Sequence, residues 1–342
     1  MRDYRAAERP EPEFPIGLVA LDVDGTLVGD DLQISDRTAA VIGEAVRRGV
    51  HVSLATGRPA RSAMLFANRL GLTDPVIGHQ GAVVRAMPKR RPVAGSATIE
   101  PAGATPGRMG RLLANRPLAA DAVRDAIRWC VEHGLDPHVY DQDRVIVWAG
   151  DASFDDYAAF LGEDPGVVPD LLRAIDRPMS KVIAVGVAPR PMELVAEARR
   201  AFAGRSDVTV SHPRFLEFTA AGVSKGRAVA WLAHLAGVPM SRVLTAGDAP
   251  NDLEMIVAAG HGTAMRTAPS EVRRAARYHA LPVGDDGVAA LIEALVLAPP
   301  REAARNAERL RAEATAALAD DDGGGDTTWG VLAASTATPG AG

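Results

Sequence analysis

The segment Ile16-Gly-Leu-Val-Ala-Leu-Asp-Val-Asp-Gly-Thr26 decides the fold. Its first six residues form a short, nearly continuous apolar run, the pattern of a strand buried on both faces of a parallel sheet, and the run ends abruptly in carboxylates. Open parallel sheets bind ligands beyond the carboxyl ends of their strands, so Asp22 and Asp24 are released into a crevice there. Outward from this point the chain alternates. Ser35 is placed to cap a helix through Val41, Ile42 and Val46 that stops at Gly49, and residues 51–55 read as a second strand. A helix over 60–70 stops at Gly71, and 75–79 reads as a third strand. Strand and helix alternating from Ile16 to Val84 specify an α/β fold with a doubly wound, Rossmann-like parallel sheet.

Residues 88–117 break the pattern with Gly, Pro and Arg and no period, as an insertion or long loop does. From Asp121 a helix carrying Val123, Ile127, Cys130 and Val131 ends at Gly134, and residues 138–140 and 145–148 read as hairpin strands joined through Gln142 and Asp143. A helix over 154–161, a strand over 182–187, a helix over 192–202 and strands over 208–211 and 215–218 complete an inserted α+β cap. At Ser224 the alternation resumes, with a helix to Gly237, a strand over 243–246 and a helix over 253–258. A chain that leaves a parallel sheet, builds a module and returns to finish the sheet makes a core with a lid. The expected division is a flexible tail over 1–15, a discontinuous core over 16–84 and 214–298, a cap over 85–213, and a helical then disordered extension over 299–342.

The 342 residues are enough for about two domains. A hydrophobic share of 47% with 24% charged residues is the ordinary globular balance. A net charge of -5 gives no overall attraction to nucleic acid or an anionic membrane surface. Cys130 is the single cysteine, which excludes an intrachain disulfide, and the first fifteen residues lack the apolar stretch of a signal peptide. No run approaches the ~20 apolar residues of a membrane helix. The expectation is a cytoplasmic protein. Among 38 basic residues only Lys89, Lys181 and Lys225 are lysine; where the chain needs only positive charge it uses arginine.

Asp22 and Asp24 are hard oxygen donors suited to magnesium, and such a carboxylate can also attack phosphorus while its neighbour two positions on handles the proton. A calcium loop counted from Asp22 fails, because Leu27 falls at the glycine position and Gln33 at the bidentate glutamate position. Taken alone, Asp-x-Asp-Gly also describes a solvated turn. Three further segments bear on it. Ala55-Thr-Gly-Arg58 ends the second strand, so the Thr56 hydroxyl and nearby N–H groups face the same crevice. Gly222-Val-Ser-Lys-Gly226 opens a helix with a lysine, unfavourable against the helix dipole unless an anion sits there. Gly247-Asp-Ala-Pro-Asn-Asp252 follows another apolar strand; Asp248 projects from the strand end, while Asn251 and Asp252 serve equally well as helix caps.

In order and content these four segments resemble the haloacid dehalogenase superfamily, and Asp-Gly-Thr-Leu, Thr-Gly-Arg, Gly-Val-Ser-Lys-Gly and Gly-Asp-x-x-Asn-Asp-x-x-Met255 resemble its Cof-type, class IIB cap branch, over about residues 16–298. The resemblance implies a phosphatase in which Asp22 is the nucleophile and Asp24 the general acid that later activates water. It implies a Mg2+ ion bound by Asp22, the Asp24 carbonyl and Asp248. Thr56, Gly57, Lys225 and Asn251 would then hold phosphate, with Asp252 and Arg58 in support. The substrate class is a small phosphate ester: a sugar, polyol, nucleotide or flavin phosphate. Gln80-Gly-Ala82 departs from the branch's Asn-Gly-Ala, implying a changed contact to substrate, and the stretch over 89–111 and the C-terminal extension lie outside the pattern.

Neither a Walker loop, a Gly-x-Gly-x-x-Gly fingerprint nor zinc-ligand spacing occurs. Cys130 reads as core. Tyr140, Arg144 and Trp148 of the insert suit a hairpin at least as well as a substrate contact. Two alternatives to the phosphatase stay open at this point: a phosphomutase of the same fold, and a catalytically weak protein that binds a phosphorylated ligand.

Overall fold

The computed structural model describes residues 9–88, 109–149 and 166–321. The chain begins β1 (Leu18–Leu21), α1 (Asp36–Arg47), β2 (His51–Leu54), α2 (Ala60–Arg69), β3 (Val76–Gly78). The Ser35 side chain accepts from Thr38 N at the start of α1, whose Val41, Ile42 and Ala45 face inward at helical spacing. In β1, Val19 and Leu21 enter one core with Val52, Leu54, Ile42 and Phe66, while Leu18 and Ala20 enter another with Val229, Leu232, Val243 and Met255. Alternate side chains of one short strand thus bury on opposite faces, which is why its apolar run is unbroken.

β4 (Val83–Arg85) and β5 (Leu112–Asn115) join β3 in a three-stranded antiparallel sheet. The stretch expected to be a loop over 88–117 therefore ends in a strand, paired beside the core instead of entering the cap; residues 89–108 lie outside the described residues. The cap elements are α3 (Ala120–Glu132), β6 (Asp136–Asp141), β7 (Arg144–Trp148), β8 (Gly166–Val168), α4 (Leu171–Ala174), β9 (Lys181–Val185), α5 (Arg190–Ala201), β10 (Ser206–His212) and β11 (Phe215–Ala220). They build a six-stranded sheet in the order β10-β11-β9-β6-β7-β8. One face buries Val182, Ala184, Leu216 and Phe218 under Val123 and Ile127 of α3, Leu194 of α5 and Phe202 just beyond it. The expected hairpin is present, turning through Gln142 at φ 53. The helix expected over 154–161 lies outside the described residues.

One boundary moves. β11 pairs with β10 and β9 throughout, so the return to the parallel sheet falls after Ala220, not at residue 214. The strand read over 215–218 thus belongs with the cap elements, and long-range pairing sets the boundary beyond it.

The chain then runs α6 (Lys225–Leu235), β12 (Val243–Gly247), α7 (Leu253–Ala258), β13 (His261–Met265), α8 (Ser270–Ala275), β14 (Tyr278–Ala280), α9 (Gly287–Ile292), α10 (Pro300–Asp321). The core sheet is parallel in the order β14-β13-β12-β1-β2, extended toward β3 by a single bridge between Ala55 and Ile77. Successive strands depart from β1 to opposite sides, placing the switch point beside β1 and β12, where Leu21 is in register with Ala246.

The tail expected to be flexible over 1–15 is tied down in its described part. The Arg9 guanidinium donates to the Ile256 and Ala275 carbonyls, that of Arg277 to the Pro10 carbonyl, and the His261 ring to the Glu13 carbonyl. The extension beyond residue 299 is helical as expected: α10 buries Ala303, Ala307 and Ala314 and packs beside β14. Its last segment, beyond residue 321, lies outside the described residues.

Candidate active site

Asp22 leaves β1 at the switch point, its N–H bonded to the Ala246 carbonyl. Lys225 enters from the first turn of α6, which Ser224 caps by accepting from Arg227 N. The Lys225 ammonium is wholly buried and donates to Asp22 Oδ1 and Asp252 Oδ1, both at 2.7 Å. The other Asp252 oxygen accepts from the N–H groups of Asp248 and Ala249, both at 3.0 Å. Thr26 Oγ1 donates to Asp248 Oδ1 at 2.9 Å. Gly25 lies at φ +76, and a Cβ there would strike the Asp248 carboxylate, so this turn needs glycine. Ligand atoms of Asp22, Asp248 and Asp252 all lie within 4.8 Å of one another.

The electrostatics follow from this crowding. Burial, then the charge of Asp252, hold the Asp22 carboxyl well above its ordinary range against the pull of Lys225. Burial and Asp252 likewise push Asp248 up to about 7. Burial alone would lower Lys225, but Asp22 and Asp252 outweigh it and raise it above its usual value. One ammonium faces three carboxylates, and additional positive charge would relieve the excess.

Asp24 is oriented differently. Arg58 grips its carboxylate with two bonds, Nε to Oδ2 at 2.7 Å and Nη2 to Oδ1 at 2.5 Å, so Asp24 contributes no side-chain oxygen to the acidic cluster, where Asp252 does. Thr56 Oγ1 accepts from Arg58 N, which leaves its hydroxyl proton for another acceptor. Asn251 donates from Nδ2 to Gln80 Oε1 at 2.9 Å, and Gln80 donates from Nε2 to Glu217 Oε1 at 2.8 Å. The departure at Gln80 therefore spends both ends of its amide on the protein's own groups.

Of the residues singled out for phosphate or metal, the structure joins Asp22, Lys225, Asp248 and Asp252 in one cluster, Asp24 and Thr56 through Arg58, and Asn251 and Gly57 through Gln80. Tyr140 is buried, with the Lys181 ammonium 5.0 Å from its ring centroid, and Arg144 lies against Gly166 on β8. Cys130 is core, its thiol pushed upward by burial. Two residues escaped the sequence reading. Lys181 of β9 donates to the Gly57 carbonyl at 2.7 Å and to Glu217 Oε2 at 2.6 Å, and both members of that ion pair are buried. A signal existed for each: the rarity of lysine applies to Lys181 as much as to Lys225, and Glu217 is a lone charge in the apolar strand Phe215-Leu-Glu-Phe218.

The family model of the haloacid dehalogenase-like hydrolases matches residues 19–102 and 96–292. The chain belongs to this family. Among its relatives, a 5-amino-6-(5-phospho-D-ribitylamino)uracil phosphatase of Bacillus subtilis is 27% identical over 81% of this chain and 96% of its own length. The HMP-PP phosphatase of Serratia proteamaculans is 27% identical over 75% of this chain and 86% of its own length. In fold it matches a subclass IIB sugar phosphatase of the same superfamily, with a TM-score of 0.66 at 19% identity over 81% of this chain and 97% of the other. The chain is thus a haloacid dehalogenase-like hydrolase, similar to phosphatases, and its acidic cluster lies at the strand ends beside β1 and β12. No helix among the described residues is long and apolar enough to cross a membrane.

Proposed function

We propose that the protein is a magnesium-dependent phosphomonoesterase that hydrolyses a small phosphorylated metabolite through an acyl phosphate of Asp22. The observation that carries this reading is the buried grouping of Asp22, Lys225, Asp252 and Asp248 at the switch point of the sheet. The donor set fits a hard divalent cation: carboxylate oxygens, raised proton affinities at Asp22 and Asp248, and too little positive charge nearby. Asp22, the Asp24 carbonyl and Asp248 would hold the ion, which when bound neutralises charge on the phosphoryl oxygens. Asp252 supports the arrangement, since Lys225 and two N–H groups already occupy its oxygens.

In this reading the phosphoryl group lies against the Thr56 hydroxyl, the backbone around Gly57, Lys225 and Asn251. A carboxylate oxygen of Asp22 forms a bond to phosphorus as the ester P–O bond breaks, and Asp24 protonates the departing alkoxide. Asp24 then takes a proton from water, the hydroxide attacks phosphorus, and the P–O bond to Asp22 breaks to release inorganic phosphate. Arg58 orients the Asp24 carboxylate with one bond to each oxygen, leaving the remaining lone pairs of this partly exposed side chain for the proton. The six-stranded unit acts as a cap that excludes water while the mixed anhydride exists. The two relatives named for phosphorylated small molecules support that substrate class. A buried, unpaired Cys130 suits a reducing cytoplasm.

The test is phosphate release from a panel of small phosphate esters with MgCl2. Wild type is expected to turn over, EDTA to abolish turnover, and Asp22→Asn to lose at least about a thousandfold in kcat with an unchanged circular dichroism spectrum. Full activity in Asp22→Asn would remove Asp22 as nucleophile. Transfer dependent on a bisphosphate activator, without phosphate release, would make the protein a mutase.

A further inference from the structure

Glu217 is a hub between the two sheets. Its Oε1 accepts from Gln80 Nε2 and from Ser211 Oγ, and its Oε2 accepts from Lys181. Lys181 reaches the Gly57 carbonyl, and Gln80 reaches Asn251, so two strands of the six-stranded sheet are joined to the loops after β2 and β12 through partly buried hydrogen bonds. We infer that Glu217 and Lys181 are positioning residues for phosphate binding, acting on Gly57 directly and on Asn251 through Gln80. This rests on the reading that those loops hold phosphate.

Three observations carry it. Gln80 uses its carbonyl on one side and its amide nitrogen on the other, a span that the shorter Asn side chain covers poorly. The loop is shaped for this contact, because a Cβ at Gly57 would stand 2.5 Å from Gln80 Nε2 and 3.3 Å from Glu217 Oε1. Gln80 also adopts φ 59, which non-glycine residues hold only where the surroundings determine it. A buried ion pair adds little net stability over an apolar pair, so its place against the Gly57 carbonyl accords with an orienting task. Asn251 has a second amide hydrogen beyond the one given to Gln80, and that hydrogen can serve an anion. Burial lowers the Lys181 ammonium from its ordinary value, with Glu217 opposing.

The experiment compares wild type, Gln80→Leu, Gln80→Asn and the double variant Lys181→Met/Glu217→Gln, which removes both buried charges together and so avoids leaving one unpaired. Amide hydrogen exchange is followed at residues 55–59 and 248–252 and across the rest of the chain. In parallel, p-nitrophenyl phosphate hydrolysis yields kcat and KM, and inorganic phosphate yields an inhibition constant. The expected result is faster exchange confined to those two loops. KM and the phosphate inhibition constant should rise about tenfold, the scale of a lost hydrogen bond to a charged group, with kcat within about threefold. Gln80→Asn should restore less than half of the lost affinity. Loop exchange matching wild type in both Gln80→Leu and the double variant overturns the inference, as does unchanged KM in an active enzyme. If wild type releases no phosphate, the phosphatase reading falls by itself, while loop exchange still decides whether the link positions the loops.

Discussion

At the residue scale the site depends on one ammonium. Lys225 is the common partner of Asp22 and Asp252, and all three side chains are buried. An arginine would be a poor replacement, since its planar fork is larger and directs its donors differently from a compact ammonium. Lys225→Met leaves two buried carboxylates without their cation. It is expected to destabilise the protein by about 3–5 kcal/mol, read from urea unfolding at pH 7 in EDTA. The companion Lys225→Met/Asp252→Asn should recover a substantial part of that loss, because one of the stranded charges is gone. A Lys225→Met protein as stable as wild type would contradict the described pairing.

Elements are held by contacts that cross long stretches of chain. The segment ahead of β1 lies over the far edge of the core sheet, where the His261 ring donates to the Glu13 carbonyl and meets the Phe14 ring edge-on at 4.7 Å between centroids. Burial, then Arg277, lower the His261 imidazole to about 4, with the Glu13 carbonyl opposing. Between about 4 and its ordinary 6.5 the folded state therefore binds fewer protons at this ring than the unfolded chain does. The corresponding stability is present in full above pH 6.5 and is lost as pH falls through that window, at most about 3 kcal/mol. His261→Gln, which keeps a donor but does not titrate, should lose less stability than wild type between pH 7 and pH 4.5 in urea midpoints. Equal losses would show that the acid sensitivity lies elsewhere.

Across the whole molecule, the hairpin turn of the six-stranded sheet seats on the core. Asp143 accepts from Arg61 N at the start of α2 at 2.8 Å and faces Arg85 Nε at 3.1 Å, while Arg85 Nη2 donates to Gln142 Oε1 at 2.5 Å. Both Arg85 and Asp143 are largely shielded from water, so this contact is stronger than an ordinary surface pair. Asp143→Ala is expected to cost about 1–3 kcal/mol in urea unfolding and to enlarge the radius of gyration measured by small-angle X-ray scattering, as the cap loosens. If both quantities match wild type, the turn does not hold the cap in place.

Much of this was legible along the chain. The unbroken apolar run before Asp22, the cap at Ser35, the helix opened by Gly222-Val-Ser-Lys-Gly226 and the turn at Gln142 are local matters of period, hydrogen bonding and backbone freedom, and they are read directly from the chain. The strand ends in turn placed the residues after β1, β2 and β12, Asp22, Thr56 and Asp248, on one side of the sheet, since parallel strands release their next residues on the same side, while Lys225 comes from the start of α6. What local spacing does not carry is which distant groups meet. β11 is buried over its first five residues, as a strand of either sheet could be, and its pairing with β9 and β10 assigns it to the cap sheet. Gln80, Glu217, Lys181 and Gly57 lie far apart in sequence, and their hydrogen bonds exist only once the two sheets are packed. The sequence alone determined which chemistry stands at the strand ends, because burial period is a property of each segment; tertiary packing decided which partners orient it, because a buried hydrogen bond is a property of two segments.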